Sequence, residues 1–181
     1  MAETKLHNYS VQEKLNKMDI DLIDISISFN PGSDVGAYAS GDLLFLVTEI
    51  PNAVAVNGGS AILQSASVII TASADGSETG AFDVIITSDE TALTDSGGAL
   101  ISNEAMSGAT NVSAVMDGIA GVFSMTNIVN MGVTSVGSKQ NIGMVCKATA
   151  NTKSLHCFGI ARSTNDYEEG SAVLRLGFIK D

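Results

Sequence analysis

Apolar and polar residues alternate with a period of two from Asp21 onward, which is typical of a β-strand with one buried face. Apolar side chains at every second position from Ile23 to Phe29 fall on one side, and aspartate and serine fall on the other. The segment Asn30–Ser33 has turn-forming residues and ends the strand. The chain therefore starts its ordered body with a half-buried strand.

Similar runs predict further strands at Leu43–Thr48, Ala61–Ala74, Ala81–Thr87, Ile119–Met125, Ile142–Ala148, Ser154–Ala161 and Ala172–Ile179. Asp75-Gly76 begins a loop that is predicted to join the second and third of these runs into a hairpin. Between Ser88 and Asp117 the alternation weakens into glycine, serine and acidic residues. Eight short strands at this spacing favour a mainly β fold, either an antiparallel β-sandwich or a jelly roll.

The first 20 residues differ from the rest and are interpreted as an N-terminal arm, followed by a single β-sandwich domain at 21–181. Ser10 and Glu13 match a capping box, which predicts a short helix through about Met18. So short a helix is unstable in isolation, so the arm is expected to dock on its own body or on a neighbour. The candidate interface residues are the apolar ones of the arm: Leu6, Tyr9, Val11, Leu15 and Met18.

The acidic charge is unevenly distributed. The formal net charge is −11, and the 121 residues from Met18 to Ser138 contain 14 carboxylates and no lysine or arginine. Phosphate contacts rely on those cations, so nucleic acid is excluded as the expected partner. Two interpretations stay open, a solvated acidic surface and a face matched to a basic partner. No apolar run is long enough to span a membrane and no signal peptide is evident, so folding in a host cytoplasm is expected.

The two histidines and two cysteines offer little for catalysis. His156 and Cys157 are adjacent on a predicted strand, so their side chains should face opposite sides of the sheet and form no dyad. Cys146 and Cys157 are expected to be reduced core residues; because they flank the polar turn 150–153 they could face each other across a hairpin, where a disulfide is possible but not expected in a cytoplasm. No catalytic residue is expected.

Acidic pairs at Asp89–Glu90 and Glu168–Glu169 could serve a glycosidase, but the chain has no Trp to build a sugar platform, and loop surface is the better interpretation. Calcium at Asp75–Glu78 is a weaker alternative, because the order of ligands in an EF-hand is absent. The sequence therefore predicts no cofactor and no metal.

Four short patches carry a family resemblance: Ala37–Asp42, Asn57–Ser65, Asn141–Gly143 and Leu174–Phe178. Through them residues 37–181 resemble structural virion proteins of tailed bacteriophages. The spacers vary, and the region from about Ser88 to Asn111 departs most.

The resemblance implies a capsid decoration, or cement, protein on the outer surface of the virion, where it would bridge subunits of the major capsid protein. Such proteins are often trimers, although no residue of this chain specifies a trimer over another homo-oligomer. Two other functions stay open at this point: a tail or fibre component, and a carbohydrate-binding module on a sandwich scaffold.

Overall fold

A computed structural model describes these parts of the chain: residues 20–29, 38–71, 79–88, 90, 93–94, 103–109, 111, 117–163 and 170–180. Residues 1–19 of the predicted arm, with its helix, lie outside these residues, and Ile20, assigned to the arm, belongs to the first strand. Within them the only helical element is a 3₁₀ turn at Met106–Gly108. The described part of the chain thus has no helix long and apolar enough to cross a membrane.

Nine strands are present in the described residues: β1 (Ile20–Phe29), β2 (Leu43–Ile50), β3 (Ser60–Thr71), β4 (Phe82–Thr87), β5 (Ile119–Met125), β6 (Ile128–Asn130), β7 (Thr134–Lys147), β8 (Leu155–Ala161) and β9 (Gly170–Lys180). The alternation in β1 is confirmed, since Ile25, Ile27 and Phe29 are buried while the residues between them are exposed.

The sequence pattern does not predict two features of the strands. β6 was not predicted, and β7 begins at Thr134, eight residues before the predicted start at Ile142. The first half of β7 buries Ser135 and Gly137, two small residues that carry no hydrophobic signal, and turns Val136 toward the outside. Apolar periodicity is therefore a poor guide to this strand.

The strands form two antiparallel sheets. The front sheet has the order β1-β9-β3-β7-β6, and the back sheet has the order β2-β8-β4-β5. The pairings are nested, because β1 pairs with β9, β2 with β8, β3 with β7, and β4 with β5. This nesting is the winding of a jelly roll, one of the two folds predicted from the spacing of the strands.

The winding overturns two local predictions. β3 lies in the front sheet and β4 in the back sheet, so the predicted hairpin between them is wrong. β7 and β8 are likewise in different sheets, so Cys146 and Cys157 are not hairpin partners; both are free and buried. Consecutive strands in a jelly roll often cross from one sheet to the other, and sequence proximity does not show this.

The core lies between the inner faces of the two sheets and contains aliphatic and aromatic side chains from both. All seven aromatic residues that the structure describes are buried: Phe29, Tyr38, Phe45, Phe82, Phe123, Phe158 and Phe178. The largest apolar side chains are thus used for packing, and the described surface is left with aliphatic and polar groups.

Candidate assembly surface

The outer face of the front sheet carries two transverse rows of aliphatic side chains. The proximal row lies at the end where the chain enters β1, and it consists of Ile20, Ile179, Ile62 and Val145. The distal row crosses the sheet toward the other end, and it consists of Val173, Ile69, Val136 and Val129. In each row the residues are direct cross-strand neighbours, so each row is a continuous apolar strip.

The distal row continues into the turn between β6 and β7. Val129, Met131 and Val133 are exposed over 61%, 70% and 67% of their surface, which is more than most apolar side chains of the described chain. The turn is well defined, since Asn130 Oδ1 accepts a hydrogen bond from the Gly132 amide at 2.6 Å. We call the distal row together with Met131 and Val133 the assembly surface.

The outer face of the back sheet is different, because part of the chain covers it. Ile85 and Phe158 point outward from this sheet, yet both are buried against Leu93 and Leu43, with Met106 packed beside them. Backbone hydrogen bonds fix the covering segment: the Leu43 amide donates to the Glu104 carbonyl at 2.8 Å, and Met106 donates to Gly41. All six residues of β4 are buried, where the sequence predicted alternation. The cover accounts for Ile85, and Asp83 is buried beside Ser124 and Arg162.

Between the two rows lies an ion pair. The guanidinium of Arg175 donates to both carboxylate oxygens of Asp24, from Nε at 2.6 Å and from Nη2 at 2.7 Å. The hydrogen bond from Arg175 holds the pKa of Asp24 below its usual range, and the charge of the guanidinium adds to this effect. Both groups are solvent-exposed, so the pair separates two apolar strips with a polar one and contributes little to stability.

A polar cleft of about 420 Å³ lies at one end of the back sheet. Its lining residues are Glu49, Ser88, Glu90, Thr149, Asn151, Thr152, Ser154 and His156. The hydroxyl of Ser154 donates to Glu49 Oε1 at 2.6 Å, so this serine is not paired with His156. Among the described residues no three His, Cys, Asp or Glu side chains are grouped to hold a metal ion.

The predicted separation of His156 from Cys157 is confirmed. Cys157 lies in the core between the sheets, whereas His156 lines the cleft on the other side of β8. Burial raises the pKa of the Cys157 thiol strongly, which suppresses the thiolate needed for nucleophilic attack. The two residues therefore form no nucleophile and base pair.

Neither native thiol should react with Ellman's reagent in the folded chain. Burial raises the pKa of Cys146 to about 11, and that of Cys157 is raised further. At about pH 8 roughly one Cys146 thiol in a thousand is then ionised, and the core hides both sulfurs from the reagent. We expect both thiols to be labelled only after unfolding in urea, with absorbance as the readout; rapid labelling of the native chain would contradict this burial.

Several predicted positions lie outside the described residues. They include the arm residues Leu6, Tyr9, Val11, Leu15 and Met18, the acidic pair at 168–169, and the calcium alternative at 75–78. Of the pair at 89–90, only Glu90 is described, and it is exposed at the cleft.

Three of the four patches that carry the family resemblance meet at one irregularity of the front sheet. β3 has one extra residue relative to β9, Gln64, between Leu63 and Ser65, and at the same place three residues of β7 face this single residue of β3. The β7 segment opposite this bulge is 141–143, which is the third patch. The β9 residues that pair with Leu63 and Ser65 belong to the fourth patch.

The residue types in these patches follow from the backbone at the bulge. Asn141 and Gly143 have φ angles of 56° and 66°, a left-handed conformation that asparagine and glycine adopt most readily. Gly177 has no room for a Cβ, which would overlap the hydroxyl of Ser65. The local backbone at the bulge and the close packing at Gly177 thus account for the asparagine and glycines of these patches.

The sequence pattern did not predict the assembly surface. Ile69 fell within a predicted strand, but the β-branched run around it does not show which side is buried. Val129 and Val136 lay in a region where few strands were predicted. A usable signal was the pair Met131 and Val133, two large apolar residues around a glycine in a turn, where polar residues are usual.

The chain matches no family model and no curated protein. Among solved structures it is similar to tomato aspermy virus, with 10% identity over 90% of this chain and 78% of the other, at a TM-score of 0.33. Desmodium yellow mottle tymovirus shows 13% identity over 88% and 84%, at a TM-score of 0.26. A semi-empty virus-like particle of Macrobrachium rosenbergii nodavirus shows 10% identity over 88% and 92%, at 0.30. Likeness at such TM-scores carries no weight for function.

Proposed function

We propose that the chain is a structural protein of a virion, which decorates and stabilises a tailed-phage capsid by bridging subunits of the major capsid protein. The resemblance of residues 37–181 to structural virion proteins supports the virion role. The jelly roll is compatible with it, because this fold occurs in capsid proteins, but lectins and cupins share the fold. The fold alone therefore does not distinguish a capsid component from a lectin, whereas the outer surface of the sandwich does.

The observation that carries the proposal is the asymmetry of the two outer faces. Leu93 and Met106 pack over part of the outer face of the back sheet, whereas no residue that the structure describes covers the assembly surface on the front sheet. Isolated apolar residues on a surface are normal, whereas a continuous row ending in a turn with two exposed large side chains marks an interaction site. A protein partner would bury this strip.

A carbohydrate-binding module is disfavoured by the same surface. Sugar sites present aromatic rings to the ligand, and all seven described aromatic side chains are buried. The polar cleft around Glu49 and His156 offers acceptors but no stacking platform among its lining residues.

The test is attachment of variants to particles that lack the protein. Replacing Val129, Met131 and Val133 together by serine should lower the affinity for the particle on the order of 100-fold, because each apolar side chain removed from the interface costs about 1 kcal/mol. Bound and free protein would be separated by sedimentation and quantified on gels. Cryo-electron microscopy of the reconstituted particle would show whether the copies sit on the head, as proposed, or on the tail.

The matched control uses equally exposed apolar residues elsewhere. Leu46 lies on β2 in the back sheet and is 49% exposed, and Val56 lies in the segment that follows β2 and is 61% exposed. Neither belongs to the assembly surface, so their serine variants should bind as the parent does. Raising the salt concentration separates the two interpretations of the acidic surface. Attachment through an acidic face matched to a basic partner weakens in salt, whereas attachment through apolar contacts does not. Parent-like binding of the triple variant would overturn the proposed role of the assembly surface.

A further inference from the structure

We propose that residues 1–19 of the arm dock on the proximal row of their own chain. This proposal concerns the isolated protein and does not rest on the proposed function. Its basis is the apolar strip that crosses β1, β9, β3 and β7 at the end where the chain enters the sandwich. Val145 at its far end is exposed over 65% and Ile20 at its near end over 49%.

The arm joins the sandwich at the edge of the proximal row. Ile20 is both the first described residue and the first member of the proximal row, so the arm arrives at the edge of the strip it would cover. Tethering at that point gives the arm a high effective concentration at its own strip, which favours docking within the chain over docking on a second molecule.

The predicted helix of the arm matches the proximal row in length and in the spacing of its apolar residues. A helix from Ser10 to Met18 would be about 13.5 Å long at 1.5 Å per residue. The proximal row spans three inter-strand spacings, which is about 14 Å. In such a helix Val11, Leu15 and Met18 share one face, so Met18 would lie over Ile179, Leu15 over Ile62 and Val11 over Val145.

A second copy of the chain, the alternative occupant, fits the proximal row less well. Stable interfaces bury about 800 Å² per partner. The proximal row offers four aliphatic side chains, of which Ile62 and Ile179 are already half-buried by their neighbours. So narrow a strip suits one short amphipathic helix better than a second sandwich, and the helix in turn needs an apolar support to be stable.

The test is a disulfide cross-link in the full-length chain. The double variant Leu15→Cys and Ile62→Cys should form a bond within one chain on mild oxidation, in the majority of molecules, because the proposal places these two residues in contact. The native thiols do not interfere, since both are buried. Mass spectrometry of the linked peptides identifies the bond, and a non-reducing gel separates monomer from dimer.

The matched control is Leu15→Cys with Ile69→Cys. Ile69 lies on the same strand and the same outer face as Ile62 but in the distal row, about 20 Å away. This pair should remain reduced. Equal cross-linking of both pairs, or none of either, overturns the proposal. A disulfide-linked dimer from the Leu15 and Ile62 pair also overturns it, because the arm then reaches a second copy.

Hydrogen exchange on the unmodified chain provides a second readout that does not depend on the folding of a variant. Docking should slow the exchange of amides 10–18 roughly tenfold relative to a free peptide of the same sequence. Exchange at the rate of the peptide would overturn the proposal even if cross-linking succeeded by chance collision. Neither experiment involves a capsid. If the arm does not dock, the test of the assembly surface is therefore unaffected.

Discussion

Gly159→Ala is expected to destabilise the chain by about 3 kcal/mol, at the upper end of what overpacking costs. Gly159 lies on β8, directly opposite Phe45 on β2, and a Cβ at this position would overlap the ring of that phenylalanine. Phe45 is itself buried in the core, so its ring cannot turn away into solvent. The free energy of unfolding in urea, with unchanged slope, would measure the loss.

Gly121→Ala is the matched control for this substitution. Gly121 lies on β5 in the same sheet, and its new Cβ would approach the thioether end of Met144 at 2.9 Å. That side chain is flexible and can move aside, so we expect a loss below about 1 kcal/mol. Similar losses at Gly121 and Gly159 would show that the ring of Phe45 does not fill the space opposite Gly159.

Arg162→Met is expected to cost about 2 kcal/mol, because it leaves a buried carboxylate without its cation. Asp83 on β4 has a side chain only 7% exposed, and it accepts a hydrogen bond from Arg162 Nε at 2.6 Å and one from the Ser124 hydroxyl at 2.6 Å. The Arg162 side chain is 52% exposed, so water replaces part of the lost interaction, and we place the cost at the low end of the range for buried pairs. Urea unfolding of the variant measures it.

Two further variants separate the charge from the rest of the side chain. Adding Asp83→Asn to Arg162→Met should recover part of the loss, because the remaining buried group is then neutral. Arg175→Met removes the cation from the exposed pair with Asp24 and should change stability far less. If Arg162→Met and Arg175→Met were equally mild, the burial of Asp83 would have no energetic consequence.

These stability variants complement the attachment experiment. Gly159, Asp83 and Arg162 lie in or against the back sheet, whereas the assembly surface lies on the outer face of the front sheet. Loss of stability and loss of attachment should therefore separate. A variant that weakens attachment while it unfolds at the same urea concentration as the parent acts through the surface.

The candidate site was harder to derive from the sequence than the strands. The arm residues Val11, Leu15 and Met18 were visible as a pattern, and their docking stays a proposal. The assembly surface depends on which side of β3 and β7 faces out, and on the absence of a cover there among the described residues. Its members Ile69, Val129 and Val136 are distant in the chain, so no window of sequence shows them together.

The sequence alone determined those features that depend on a few neighbouring residues, such as the direction of side chains along one strand. The period of two in β1 fixed which side chains turn inward, and adjacency on one strand separated His156 from Cys157. The predicted bounds of β5 agree with those observed. These features follow from the geometry of an extended chain over a few residues, so they do not depend on how the strands pair.

Only the tertiary structure decided how the strands pair and which face stays open. Asp24 has no cation near it in sequence, and it finds Arg175 across a separation of 151 residues because the first strand pairs with the last. The same winding sends β7 and β8 into different sheets and lets Leu93 and Met106 pack over the outer face of the back sheet. Such contacts are set by closing long loops around a common core, and hydrophobic periodicity within a strand carries no information about them.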